Sequence, residues 1–427
     1  MKNRQALPSD FQIRSPKTAA EIDAFFHINA KVFRPDEDTE LVAERRRRYL
    51  MDDPNFHLHQ LRGAFSGDTY LGGYILLDRS MCLGPARLRT GCISGVVTHP
   101  DYRHQGIATA LMHDAIRIAE NQQYALLFLH GVANFYQQFG YTDVLEDTPR
   151  HILLSKRLPE PIAGACTVRA ATREDAPALL ACYQQHYSPY LGSFAPQRTL
   201  QRQEHLLCNW FEMTDEARPL VALSPKGELH GYLLLSQSRG KLHAYEVATN
   251  TWPATLALLH AHTSLLNAEA EPPQELNWPI PPTDTTFYFL AEHLVLKSQI
   301  FTSPNGGWMA RPGHLPTLVR SLLPLWQEYW QKRSSQTDWA GTFGLTVDNY
   351  TSFFAVTSSS IQPVDGPDPT SQNVMFSSQM FSQLIFGFRS LSWLLLQSGQ
   401  QIPAKFIPVL NILFPLSQAW IAGSDSF

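Results

Sequence analysis

The sequence predicts a mixed α/β (α+β) protein that contains two similar units followed by a third, different region. Three observations support this fold class. A short strand followed by a capped helix occurs twice, a glycine-containing apolar strand also occurs twice, and a strand, a glycine turn and an amphipathic helix follow one another in the first unit. At about 150 residues per domain, a chain of 427 residues has room for about three domains.

Two sequence patterns recur along the chain at nearly the same spacing. The first is a short strand followed by a capping box that starts an amphipathic helix, and the second is an apolar strand that contains glycine. We interpret them together as an internal duplication, although chance similarity of short apolar strands would explain either pattern alone. The first pattern occurs as Phe11–Arg14 with Thr18–Glu21 and as Cys166–Arg169 with Thr172–Asp175, and the second as Leu71–Leu77 and as Leu229–Leu235.

The duplication and two breaks in the chain predict three domains. The proline-containing segment Leu158–Ala165 is typical of a linker, and Ser303–Gly307 is a second break. The region after this break is poor in charge, and it begins with a predicted long helix from His314 to about Lys332 and a predicted strand at Gly341–Val347. The predicted domains are residues 1–160, 161–305 and 306–427.

The composition excludes several classes of protein. A net charge of −4 without a long basic run argues against nucleic-acid binding through phosphate charge. The hydrophobic fraction of 44% is too high for a largely disordered chain. No apolar stretch approaches the roughly 18 to 20 residues of a membrane span, and the first residues lack the apolar core of a secretory signal. We therefore expect a cytoplasmic protein that does not enter a membrane.

The cysteines predict neither disulfides nor a metal site. They are odd in number, widely spaced and free of any Cys-x-x-Cys pair. We interpret them as small buried hydrophobic residues. They are Cys82, Cys92, Cys166, Cys182 and Cys208.

The segment Ser94–Ala108 has the pattern of an anion-binding turn. Its β-branched strand must end before Pro100, because proline cannot donate a hydrogen bond to a neighbouring strand. An amphipathic helix then begins at Ile107, directly after Arg103 and Gly106. Unpaired amides at a helix start attract an anion, and a glycine lets a phosphate approach the backbone closely. The lysine of the Gly-x-x-x-x-Gly-Lys phosphate loop is not present.

This turn resembles a known family. Arg103–Ala108 is similar to the Arg/Gln-x-x-Gly-x-Gly/Ala signature of the GNAT superfamily of N-acetyltransferases, and Phe135–Tyr141 is similar to its Phe-Tyr-x-x-x-Gly-Phe/Tyr element. The resemblance implies a GNAT fold for the first domain, with acetyl-CoA as the co-substrate and no metal. No such signature follows the predicted strand Leu242–Val247. We therefore expect the second copy to share the fold without binding CoA.

The resemblance also implies which residues bind the cofactor. The strand before the turn is expected to open, so that its backbone binds the pantetheine arm as a further strand would. The turn is expected to hold the pyrophosphate. The residues implied are Val96, Val97 and Thr98 for pantetheine, Arg103, His104, Gln105, Gly106, Ile107, Ala108 and Thr109 for pyrophosphate, and Gly131 and Val132 beside the cofactor.

Over nearly the whole chain, the order of features resembles the enhanced intracellular survival (Eis) family of acetyltransferases. That family has two GNAT domains and a C-terminal domain like sterol carrier protein. The matching features of the third region are Trp308–Arg311, Leu384–Arg389, Leu413–Pro415 and a final phenylalanine. The resemblance implies a homo-hexamer, with Tyr136 as the general acid and the α-carboxylate of Phe427 as the general base. Without it, Tyr136 is typical of a core residue and Phe427 of a frayed end.

The expected function is acetyl-CoA-dependent N-acetyltransfer to an amine of a small polyamine-like, aminoglycoside-like molecule or to a protein lysine. A pocket for a polycation should be acidic, but Asp425 is followed by the neutral Ser426, which argues against aminoglycosides. Two alternatives stay open. One is a non-catalytic protein that binds a lipid or a partner and keeps relic GNAT domains, and the other is an acyltransferase that uses another acyl-CoA.

Overall fold

The computed structural model describes residues 7–146, 150–153, 158–213, 219–238, 241–267, 275–281, 283–298, 306–368 and 371–427. The chain forms two compact units. The first comprises Met1–Leu145, Ser303–Ser417 and Phe427, and the second comprises Glu146–Thr302 and Gln418–Ser426. The three domain ranges stay a prediction, and residues 303–305 of the predicted second break lie outside the described residues.

The described strands and helices follow one another in the following order. The strands are β1 (Phe11–Arg14), β2 (Leu61–Ser66), β3 (Thr69–Leu83), β4 (Ala86–Thr98), β5 (Leu126–Gly131), β6 (Thr142–Asp143), β7 (Arg150–Leu153), β8 (Thr167–Ala170), β9 (Leu220–Leu223), β10 (Leu229–Ser238), β11 (Lys241–Thr249), β12 (Glu275–Trp278), β13 (Leu296–Ser298), β14 (Gly307–Pro312), β15 (Gly341–Val347), β16 (Tyr350–Val356), β17 (Ile361–Val364) and β18 (Gln372–Phe376). The helices are α1 (Ala19–Phe33), α2 (Thr39–Met51), α3 (Ile107–Asn121), α4 (Ala176–Tyr187), α5 (Leu200–Met213), α6 (Trp252–Leu266), α7 (Thr285–His293), α8 (Leu315–Arg333), α9 (Ser378–Ile385), α10 (Leu391–Ser398) and α11 (Ile407–Leu413).

The first unit contains a seven-stranded sheet in the order β1-β2-β3-β4-β5-β14-β6. All neighbouring strands of this sheet are antiparallel except β4 and β5. These two strands are parallel, and helix α3 forms the crossover connection between them. Helices α1 and α3 lie on opposite faces. A Cβ atom added to Gly72 would meet Ile107 of α3 at 3.3 Å, whereas one added to the next residue, Gly73, would meet Phe25 of α1 at 3.1 Å.

Strand β14 completes this sheet although it lies far along the chain from β5. Met309 of β14 is fully buried and belongs to the same hydrophobic core as Leu127, Leu129 and the α3 residue Leu111. The segment Trp308–Arg311, one of the matching features of the third region, lies in β14 and pairs with β5. The first predicted domain and the third region are therefore parts of one compact unit.

The remainder of the first unit contains a second sheet in the order β17-β16-β15-β18 and helix α8. The sequence prediction of a helix from His314 is confirmed, because His314 is the N-cap residue of α8 and the helix ends at Arg333. The predicted strand at Gly341–Val347 is confirmed as β15. Trp326 of α8 is fully buried and packs edge-on against Phe354 of β16 at 5.5 Å. The likeness of this region to sterol carrier protein stays a prediction.

The second unit repeats the element order of the first. Its sheet has the order β11-β10-β9-β8. Helices α4 and α5 lie between β8 and β9 in the chain, as α1 and α2 lie between β1 and β2. Helix α6 follows β11, as α3 follows β4. Both predicted helix starts carry a capping threonine, and the complete capping box is present at the second, Thr172. Thr18 accepts a hydrogen bond from the amide of Glu21 at 3.2 Å, and the Thr172 amide donates to Asp175 at 2.7 Å. This order is what an internal duplication produces.

A smaller, three-stranded sheet, β12-β7-β13, also belongs to the second unit. Within the described parts of the chain, no helix has the length and apolar character that a membrane crossing requires.

Candidate functional site

Strands β4 and β5 separate at one end of the main sheet. Their parallel pairing ends at Ile93 opposite Leu129, whereas β4 continues to Thr98 and β5 to Gly131. A bulge starts at this point, because two residues of β4, Gly95 and its neighbour, oppose one residue of β3. Gly95 has a φ of 60°, which favours glycine, and a bulge bends the strand that carries it. The fold therefore opens the sheet between two strands.

The residues predicted to bind pantetheine form the β4 side of this opening. Val97 pairs with Gly73 and Thr98 with Gly72 of β3, so the other edge of this part of β4 faces the opening. Val96 is partly buried and packs against the hydrophobic core that contains Leu111 of α3. In the described structure no strand pairs with β4 beyond Ile93 on the β5 side. The backbone there can accept a ligand as an additional strand.

The predicted pyrophosphate turn ends at an uncapped helix start. Gly106 is the N-cap residue of α3 with a φ of 85°, and it makes no side-chain cap hydrogen bond. A Cβ atom added there would find no atom within 4 Å, so the space in front of the helix is open. The first turn holds no acidic residue. The free amides and the positive end of the helix dipole can therefore attract an anion at this position.

The remaining residues of the turn surround this helix start. Arg103 and His104 are exposed, and His104 has a φ of 66°. Gln105, Ala108 and Thr109 are partly buried, and Ile107 is fully buried and attaches the helix to the core.

The equivalent helix of the second unit begins differently. The Thr251 hydroxyl caps α6 by accepting a hydrogen bond from the Ala254 amide at 3.3 Å, and Pro253 has no amide hydrogen to offer. Trp252 stacks on His293 with a ring distance of 4.6 Å. At this helix start one amide is capped by a side chain and the proline offers none, and the glycine signature is absent after β11.

Tyr136 lies against the end of β5. A Cβ atom added to Gly131 would be 2.7 Å from the Tyr136 ring, so only glycine allows this packing. The Tyr136 side chain is 7% exposed and contacts the ring of Tyr141 at 6.1 Å. Burial raises the pKa of Tyr136 to about 12, so its phenol is protonated at neutral pH and can donate a proton. Val132, directly after β5, is 65% exposed.

The ring of Phe427 packs at the same end of the sheet. It contacts Trp308 of β14 at 5.7 Å and Phe128 of β5 at 6.1 Å, and these two rings stack on each other at 5.2 Å. The ring of Phe386 also stacks on Phe128, and their ring centroids are 6.3 Å apart. Because neighbouring side chains of a strand alternate, Phe128 lies on the face opposite the α3 core that holds Leu129. Phe427 therefore packs on the face opposite α3.

Two residues near the opening were missed by sequence reasoning. Asn29 of α1 is 4% exposed and donates a hydrogen bond to the carbonyl of Gly95 at 3.4 Å. Arg46 of α2 donates to the side-chain oxygen of Asn29. An isolated glycine within a β-branched strand was the available sequence signal for the bulge, whereas nothing in the sequence linked it to α1 or α2.

Asp425 is already paired within the second unit. Arg198 donates to its carboxylate at 2.7 Å, and Tyr183 donates to the other oxygen. Ser424 binds the buried Glu246 through its amide at 2.8 Å and through its hydroxyl at 2.6 Å. The carboxylate considered for a polycation pocket is thus neutralised by a buried arginine.

Comparisons with known proteins relate the chain to acetyltransferases. Residues 12–144 match the sequence profile of an acetyltransferase (GNAT) domain. No curated protein is significantly similar to the chain in sequence. The fold, however, is similar to solved structures over almost its whole length.

One is a probable N-acyltransferase from Enterococcus faecalis V583, with a TM-score of 0.71, 16% identity, and coverage of 98% of this chain and 99% of that one. A GCN5-related N-acetyltransferase from Anabaena variabilis has a TM-score of 0.69 at 16% identity, covering 98% and 100%. Eis1 from Mycobacterium abscessus has a TM-score of 0.64 at 16% identity, covering 98% and 100%. The profile match and the shared fold support acyl-CoA-dependent acetyl transfer.

Proposed function

We propose that this chain, in which residues 12–144 form a GNAT acetyltransferase domain, transfers the acetyl group of acetyl-CoA to the nitrogen of an amine. The observation that carries the proposal is the opening between β4 and β5 next to an uncapped helix start at Gly106. One element can bind the pantetheine arm and the other the pyrophosphate, and both belong to the first unit.

The reaction requires an acetyl carbonyl held near a neutral amine, a base for the proton of the ammonium, and an acid for the leaving thiolate. Tyr136 supports the role of acid, because it lies against the last residue of β5 and stays protonated at neutral pH. We assign the base to the α-carboxylate of Phe427, whose ring packs on the opposite face of the same strand. Acid and base would then act on the two faces of the opening.

The finer assignments are also part of the proposal. The second unit is a GNAT copy that does not bind CoA, because Thr251 caps its equivalent helix. The region after β14 is a domain like sterol carrier protein, and the family resemblance adds a homo-hexamer in the cytoplasm. The acceptor is an amine of a polyamine-like molecule or a lysine. The rival functions are a non-catalytic lipid or partner binder and a transferase of a longer acyl group.

Thermal unfolding with acyl-CoA compounds tests the function. Acetyl-CoA at about 100 times its Kd should stabilise the protein by about 2.7 kcal/mol, and acetyl-CoA should raise Tm more than palmitoyl-CoA does. A larger shift with the longer acyl-CoA would favour the alternative acyltransferase. No shift with any of them, in a protein that unfolds cooperatively, would favour the non-catalytic binder.

Tyr136→Phe tests the general acid. We expect kcat for acetyl transfer to fall by about 10²-fold or more, because a positioned acid contributes that much, while the KM for acetyl-CoA changes little. Tyr141→Phe is the matched control, since this fully buried tyrosine of the same cluster has no hydrogen-bond partner for its hydroxyl among the described residues. Equal kcat values for the two variants would show that Tyr136 is a core residue only.

A further inference from the structure

Arg46 is a half-buried cation without a carboxylate partner. Its guanidinium donates to the neutral amide oxygen of Asn29, and it lies over the ring of Phe33 at 5.9 Å. In the described structure no aspartate or glutamate forms an ion pair with it. Burial lowers the pKa of Arg46, the nearby charge of Arg34 lowers it further, and the charge of Glu37 acts in the opposite direction. A partly desolvated guanidinium is more stable when an anion binds it.

Three carboxylates of α1, α2 and the segment between them lie next to other basic side chains. Glu37 lies 3.7 Å from Arg34, and Asp23 of α1 lies 3.0 Å from Arg47. Glu40 lies 3.0 Å from a ring nitrogen of His27. Arg46 of α2 is thus a cation that donates its hydrogen bond to a neutral side chain, Asn29 of α1.

Arg46 is connected to the opening of the sheet through Asn29. Asn29, which accepts its hydrogen bond, donates to the carbonyl of Gly95 at 3.4 Å, and Gly95 is the bulge residue where β4 leaves β5. A Cβ atom added to Gly95 would be 2.9 Å from the Asn29 amide nitrogen. This contact comes from α1 and therefore from the face opposite α3. The ring of Phe427 also packs on that face, where the proposed base would meet the acceptor.

We propose that Arg46 binds a carboxylate of the acceptor, so that the acceptor is a small amine that also carries an acidic group, as an amino acid does. This inference rests on the proposed acetyl transfer and narrows it. A guanidinium binds a carboxylate through two parallel charge-assisted hydrogen bonds, which fixes the position of the neighbouring amine. A polycation would instead be repelled by Arg46.

Matched acceptors that differ only in a carboxylate test this directly. The pairs are lysine and cadaverine, histidine and histamine, and tyrosine and tyramine, each with acetyl-CoA, and the readout is kcat/KM for thiol release. We expect at least one amino acid to exceed its amine by about 10-fold or more, the contribution of a charge-assisted hydrogen bond. Arg46→Gln, which can still bond Asn29, should reduce that preference to about 2-fold or less.

Two further variants separate substrate binding from a structural role. Arg45→Gln removes the same charge from the neighbouring position of α2 and should keep the preference. Arg46→Lys should restore part of it, since the charge returns without the planar fork. A purely structural role for Arg46 would lower Tm and slow both members of each pair equally, which would overturn the proposal.

The remaining outcomes distinguish failure of the Arg46 proposal from failure of the proposed function. Amines that react as well as their amino acids, or a preference that survives Arg46→Gln, would overturn the role of Arg46. If acetyl-CoA binds but none of the six acceptors reacts, the acidic-amine acceptor is wrong while the CoA site stands. If acetyl-CoA does not bind, the proposed function itself fails.

Discussion

Gly106→Asp is expected to abolish the binding of acetyl-CoA. The substitution places a carboxylate in the open space before the uncapped start of α3, where the pyrophosphate should bind. Two like charges about 4 Å apart repel by about 4 kcal/mol near a protein surface, so the Kd should rise by about 10²-fold or more. Isothermal calorimetry on the wild type should find one site per chain, and on this variant none.

Gly227→Asp provides a matched control for the backbone. Gly227 has a φ of 83°, close to that of Gly106, and a Cβ atom added there would also meet nothing within 4 Å. Both variants therefore carry the same left-handed penalty of about 1 to 2 kcal/mol, but only Gly106 adjoins the helix start. Equal loss of acetyl-CoA binding in both would point to unfolding. Retained binding in Gly106→Asp would show that the pocket lies elsewhere, and two sites in the wild type would assign one to the second unit.

Appending a single glycine after Phe427 is expected to slow acetyl transfer by about 10²-fold or more, the range for loss of a general base. An α-carboxyl group is ionised at neutral pH, and the extension moves that charge away from the docked ring. The ring contacts with Trp308 and Phe128 should persist, so the fold and the Kd for acetyl-CoA should not change. Steady-state kinetics and calorimetry on the same preparation measure the two quantities.

Two further protein variants separate the effect of the terminal carboxylate on activity from the effect of the Phe427 ring. Phe427→Ala keeps the terminal carboxylate but loses the contacts of a partly buried aromatic ring, for which full burial would contribute roughly 1.5 to 3 kcal/mol, so its activity should also fall. A tag at the N-terminus leaves the α-carboxylate of Phe427 unchanged and should leave turnover unchanged. Full activity of the extended protein would contradict the assignment and direct the search for a base to the carboxylates of the first unit.

Local signals in the sequence determined the elements that build the site. The cap at Thr18, the strand end before Pro100 and the helix after Gly106 each depend on residues within a few positions of one another. Such features follow from backbone geometry and from the need to satisfy the first amides of a helix. The sequence therefore predicted the turn between β4 and α3 and the repeated order of strands and helices.

The opening itself was decided by tertiary structure. Strand β14 joins β5 from far along the chain, Phe427 packs on Trp308, and Arg46 reaches the Gly95 bulge through Asn29. Each of these contacts joins segments that are remote in sequence, and periodicity or capping patterns carry no information about which remote segments meet. Their positions depend on the packing of the whole unit, because strand pairing and burial are selected together when the sheet forms.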